Sequence, residues 1–140
     1  MKTLVFFSVI VCALIFGSVS WKSAAATNVL KQKAVTHFDS PVDVQGVVLK
    51  GTYLFVHDDA AMNRGEACTY IYEGEIEARD KLVASFHCIH VERARARNFI
   101  WRAREAAPGI LELTEFQFSG DTAAHGVPMA GNTAVVSVMN

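Results

Sequence analysis

Pro41-Val-Asp-Val-Gln-Gly-Val-Val-Leu-Lys-Gly-Thr-Tyr-Leu-Phe-Val-His57 is the stretch on which the fold reading turns. Val42 and Val44 alternate with polar neighbours, and Gln45-Gly46 then marks a turn. Val47-Val48-Leu49 follows, with Lys50-Gly51 read as a second turn. Thr52 to His57 is β-branched and aromatic and apolar on both faces, the composition of a buried strand. The stretch therefore predicts short strands joined by glycine turns, and the rest of the chain is read outward from it.

On the C-terminal side, Asp58 to Gly65 is polar and reads as a loop. Thr69-Tyr70-Ile71-Tyr72 and Leu82 to Val91 are two further strands, joined by the polar run Gly74 to Lys81. A hairpin centred on Ala78 would set Tyr72 opposite Ala84, Tyr70 opposite Phe86 and Cys68 opposite Cys88. Opposed side chains of an antiparallel pair lie about 4.5 to 5.5 Å apart at Cβ, a little wider than a disulfide requires. Residues 92 to 107 admit two readings. Glu92 to Arg97 has helix-forming composition, yet Phe99, Trp101 and Ala103 continue an alternation that begins with the arginines, which makes 97 to 103 a strand. After the turn at Pro108-Gly109, Ile110 to Phe118 is a second strong strand. Its phase slips between Leu113 and Phe116, and a bulge near Thr114-Glu115 would return Leu111, Leu113, Phe116 and Phe118 to one face. Ser119 to Thr133 reads as a loop and Ala134 to Val138 as a closing strand.

On the N-terminal side, residues 27 to 40 form a polar lead-in whose structure, helix or first strand, the pattern leaves open. Residues 1 to 26 have the form of a secretory signal. Lys2 is the positive start, Leu4 to Phe16 is apolar apart from Ser8, and Ala24-Ala25-Ala26 offers a cleavage site before Thr27. The rival is an uncleaved anchor, but the apolar run is short of the roughly 20 residues that span a bilayer. A lipid-modified Cys12 is disfavoured because it lies within the apolar run, after Val11. The expectation is an exported protein, periplasmic or extracellular, with one β domain over 27–140 and no membrane span after cleavage.

The fold class so reached is all-β, a small antiparallel β-sandwich or barrel. The stretch Pro41 to Phe55, a short strand, a glycine turn and a Leu-x-x-Gly-x-Tyr strand, resembles uncharacterised families of small exported bacterial β-domain proteins. Those families carry proline and alanine before the second glycine, where Leu49-Lys50 stand here. The resemblance implies a fold and an exported location and brings no catalytic residues.

Of 140 residues, 51% are hydrophobic and 19% charged, which excludes a disordered chain. The net charge of −1 becomes −3 once Lys2 and Lys22 leave with the signal, so a nucleic-acid partner is not expected. Cys68 and Cys88 remain after the signal is removed, and two cysteines in an exported chain point first to one disulfide.

Four groups of residues could carry chemistry. Cys88 and His90 share strand parity, and with Cys68, His57 and His125 they make a thiolate–imidazole set suited to copper or zinc. The plain alternatives are a Cys68–Cys88 disulfide or two buried thiols; neither a C-x-x-C nor an H-x-x-x-H spacing is present. His57-Asp58-Asp59 could bind a cation or work as an acid–base group, or be a strand end with turn-forming aspartates. Arg93, Arg95, Arg97, Arg102 and Arg104 form a basic run without an acid. With Phe99 and Trp101 interleaved, they could grip an anionic polymer or a protein partner, or be a solvated strand face. Last, Ser119, Asp121 and His125 bring hydroxyl, acid and imidazole into one loop, a proximity that does not establish a triad. A hydrolase-like or isomerase-like enzyme would need His57, Asp58 and His125 to converge. The leading expectation is a non-catalytic binding or structural module without a cofactor. The alternative is a small copper- or zinc-binding protein.

Overall fold

The computed structural model describes residues 31–130. The signal-like segment and the strand expected at Ala134 to Val138 lie outside them. The described chain is nearly all β. Its strands form one curled, half-barrel sheet in the order β4 (Leu82–Phe86), β3 (Thr69–Glu73), β2 (Val47–Asp58), β1 (Lys31–Val44), β7 (Ile110–Gln117), β8 (Ala123–Gly126) and β5 (Ile89–Glu92), with β6 (Ile100–Ala107) on the remaining side of β7.

The lead-in resolves as a strand. β1 (Lys31–Val44) pairs along its length with β2 (Val47–Asp58). Gln45 and Gly46 join them at φ 57° and 83°, the left-handed pair of a tight two-residue hairpin turn. The turn expected at Lys50-Gly51 is absent, and β2 runs straight through it. The irregularity is instead in the partner, where pairing skips between Phe38 and Val42, around Pro41. Proline has no N–H to give the ladder, so it sits where the ladder lapses. Gly51, opposite Phe38, absorbs the distortion at φ 104°.

β2 is buried on both faces, as its composition requires. Tyr53 and Phe55 point into the main core with Phe38, Leu113, Phe116 and Phe118. Leu54 and Val56 pack with Tyr72 in a smaller cluster on the opposite face. Asp58 ends the strand by turning its carboxylate onto the Ala60 and Ala61 N–H groups, at 2.9 and 3.1 Å. That N-cap starts the five-residue helix α1 (Asp59–Asn63) in what reads from sequence as a loop.

β3 (Thr69–Glu73) and β4 (Leu82–Phe86) form the expected hairpin one residue out of the expected register. Thr69 faces Phe86, Tyr70 faces Ser85 and Ile71 faces Ala84, and a further slip sets Tyr72 against Leu82. The connection is not symmetrical about Ala78. It holds a 3-10 turn at Arg79–Lys81, just before β4. Residues 87 and 88 leave the ladder, and β5 (Ile89–Glu92) crosses to the other end of the sheet.

Residues 93–99 are irregular, and β6 (Ile100–Ala107) follows, so the helix reading of 92–107 fails. β7 (Ile110–Gln117) carries the anticipated bulge. Arg102 faces Glu115 and Ala103 faces Leu113, leaving Thr114 as the extra residue. Leu111, Leu113, Phe116 and Phe118 then all join the main core. The other edge of β7 is shared. Its start pairs in parallel with β1, the one parallel junction among the described residues, and its end pairs with β8 (Ala123–Gly126), a strand inside the expected loop.

Candidate functional site

At one end of the half-barrel, four of the five side chains of the expected thiolate–imidazole set, Cys68, Cys88, His57 and His125, come together. His57 follows Tyr53 and Phe55 on the core-facing parity of β2 and is fully buried. His125 sits opposite Phe116 in the β7–β8 ladder, with its ring stacked on that phenyl at 5.1 Å between centroids. Cys68 precedes β3 and gives its N–H to Phe86 O at 3.0 Å. Cys88 lies in the break between β4 and β5, where the chain turns inward and its N–H donates to Cys68 Sγ at 3.2 Å.

Cys88 Sγ is the centre of the group. It lies 3.0 Å from Cys68 Sγ, 3.4 Å from His57 Nε2 and 3.5 Å from His125 Nδ1. The two imidazole centroids are 4.0 Å apart. Phe118 closes the side of the site, 6.5 Å from His57 and 5.6 Å from His125. One donor atom from each of His57, Cys88 and His125 falls within 4.8 Å of the others. Cys68 and Cys88 are free thiols, about 1 Å beyond the roughly 2.05 Å of a disulfide bond. They meet despite the register error, because Cys88 reaches Cys68 from outside the ladder.

Electrostatics follow from burial. Loss of water pushes His125 down to about 4, assisted by the nearby His57, so its ring is neutral at pH 7 and a lone pair is available. The Cys88 thiol and backbone N–H, together with His57, favour the thiolate on Cys68, while Cys68 and burial push the Cys88 thiol up. The pair without a further cation therefore holds at most one negative charge with ease.

The polar bookkeeping here is incomplete. Among the described residues, the buried side-chain atoms lacking a hydrogen-bond partner are His57 Nδ1, His125 Nε2, Thr69 Oγ1 and Gln117 Oε1. Two belong to the cluster and a third, Thr69, pairs with His57 across the β2–β3 ladder. Such atoms cost about 1–3 kcal/mol each, and their concentration marks a place shaped for something besides packing. His57 Nδ1 is 3.2 Å from Asp59 Oδ1, in ion-pair range but off the hydrogen-bond line.

Several sequence expectations are corrected. His90 is exposed and outside the donor group, although it stands directly opposite His125 in the β5–β8 ladder. Asp58 is a helix cap, whereas Asp59 is the aspartate that approaches His57. Ser119 and Asp121 do not join His125: Ser119 donates to Arg97 O, and Asp121 accepts from Gln32. The five arginines are exposed, but three have carboxylate partners. Arg93 and Arg102 both grip Glu115, at 2.7 and 2.6 Å, and Arg104 grips Glu112 at 2.6 Å. Phe99 and Trp101 pack on Phe55 and Phe38 at 5.4 and 5.0 Å, so they do not form an exposed stacking platform between the arginines. No sequence signal reported that His57 and His125 meet, since they lie on strands brought together by long-range pairing.

No protein-family model, curated protein or solved structure matches the chain. Its functional reading therefore rests on the site's geometry.

Proposed function

We propose that this protein is an exported metal-binding β domain that holds one zinc or copper(I) ion between Cys88, His57 and His125. The observation that carries the reading is the spacing of the three donors. An ion with bonds of about 2.3 Å to sulfur and 2.0 Å to nitrogen, at tetrahedral angles, separates those donors by about 3.5 Å. Cys88 Sγ stands 3.4 and 3.5 Å from the two imidazole nitrogens. A thiolate with two imidazoles suits both metals, and the Asp59 carboxylate stands 3.2 Å from His57 Nδ1, on the ring nitrogen away from Cys88. Two tetrahedral thiolates on one ion would be about 3.8 Å apart, wider than the 3.0 Å of the cysteine pair, so Cys68 is assigned no ligand role. The signal-like residues 1–26 support a place outside the cytoplasm.

The same His57 links a thiol to a carboxylate, in the order of a nucleophile–base–acid triad. Cys88 is 1% exposed, which keeps that sulfur from a substrate and favours the ion.

The test is a competition titration of the reduced chain against a chromogenic chelator, with zinc and with copper(I). The wild-type protein is expected to take up one ion and release the thiol proton of Cys88. Cys88→Ser, His57→Gln and His125→Gln should each lose at least tenfold in affinity. Equal affinities in all four chains, or no uptake by the folded wild type, would overturn the proposal.

A further inference from the structure

Resting on the metal reading, we infer that Cys68 is the redox partner of the ligand Cys88: peroxide converts the pair into a disulfide and thereby ejects the ion. A disulfide and a metal site thus become two states of one pair rather than rival descriptions of it. Three observations support this. The sulfurs are already 3.0 Å apart, so a bond requires about 1 Å of approach. Cys88 is the donor shared by both imidazoles, and a disulfide sulfur no longer supplies the thiolate that the ion needs. Cys68 has a geometry suited to reaction rather than ligation, since its sulfur accepts the Cys88 backbone N–H at 3.2 Å, which stabilises negative charge on it.

Both sulfurs are buried, at 0% and 1% exposure, so the suitable oxidant is hydrogen peroxide, which is close to water in size. In the first step the Cys68 thiolate attacks one peroxide oxygen. The S–O bond forms, the O–O bond breaks, and the departing hydroxide takes a proton to become water, leaving a sulfenic acid on Cys68. In the second step Cys88 leaves the ion and attacks the Cys68 sulfur. The S–S bond forms, the S–O bond breaks, and the departing hydroxide takes a second proton. Two thiols and one peroxide give one disulfide and two waters; sulfur loses two electrons and oxygen gains them. The ion is left with two imidazoles and dissociates. A thiol reductant restores the pair by exchange.

The experiment starts from the zinc-loaded full chain and follows zinc release with a chromogenic chelator, together with intact mass. Peroxide should lower the chain mass by two hydrogens and release zinc in step with that change, and a dithiol reductant should restore both. Cys68→Ala should bind zinc, form no intramolecular disulfide and keep its zinc through the same exposure. Zinc retained by a wild-type chain whose disulfide has formed would overturn the switch. So would a wild-type chain that forms no disulfide, or a Cys68→Ala chain that releases zinc at the wild-type rate. Zinc lost from folded Cys68→Ala before peroxide would make Cys68 a ligand and overturn the assignment. Failure of the reduced wild type to load zinc would instead overturn the metal reading, and the switch with it.

Discussion

His57 has a sulfur on one side and a carboxylate on the other. Its Nε2 faces Cys88 and its Nδ1 faces Asp59. A carboxylate behind a ligating imidazole fixes the tautomer and the ring orientation, and losing such a partner lowers metal affinity by about 10- to 100-fold. Asp59→Asn is therefore expected to weaken zinc binding by about tenfold while leaving the stoichiometry at one ion, as read by chelator competition. Unchanged affinity would show that Asp59 plays no part in orienting the ring. Among the described residues, no such carboxylate is paired with His125, whose ring is held neutral by burial, with the nearby His57 assisting.

The elements show why some of this was readable in advance. The turn at Gln45-Gly46, the strand at Thr52 to His57 with apolar residues on both faces, and the phase slip at Thr114 are local patterns, and the structure contains all three. The hairpin of Cys68 and Cys88 was legible as a pair but not in register, because a 3-10 turn at Arg79–Lys81 makes the connection asymmetric. His90 shares the face of His125, its direct partner in the β5–β8 ladder, but β5 is the last strand in the sheet order and its His90 side chain is exposed. Helix α1 was missed because it is a single short turn held by one cap rather than by an apolar stripe. That cap also sets the direction of the chain at Asp59. Asp58→Ala should lower stability by about 1 kcal/mol, seen in the denaturant midpoint, and weaken zinc binding in the same sense as Asp59→Asn. If stability falls while affinity holds, the helix start does not position Asp59.

Across the whole molecule, Glu115 is the joint between the irregular segment 93–99 and the β6–β7 pair. It is 6% exposed and receives Arg93 at 2.7 and 3.0 Å and Arg102 at 2.6 Å. The Arg93 guanidinium, aided by Arg102, holds its carboxyl below the ordinary value of 4.5. A depressed carboxyl stabilises the fold above its unfolded value, and that contribution fades as the pH falls through the folded one. Stability should therefore drop below about pH 4.5, and Glu115→Gln should remove part of that drop while costing roughly 1–3 kcal/mol at pH 7. A melting series from pH 3 to 7 checks it. The same pairing explains why the basic run is a weak candidate for gripping a polymer, since Arg93, Arg102 and Arg104 are answered by carboxylates within the sheet. The long-range pairing β2–β3, β7–β8 and β1–β7 builds the cysteine–histidine cluster, and no local stretch of sequence encodes those contacts.

The most direct test of the account is a native mass spectrum of the fully reduced chain after exposure to zinc and removal of the excess. The account predicts one zinc on the wild-type chain and none on Cys88→Ser. A reduced, folded wild-type chain that carries no ion, or a Cys88→Ser chain that carries as much as the wild type, would contradict it.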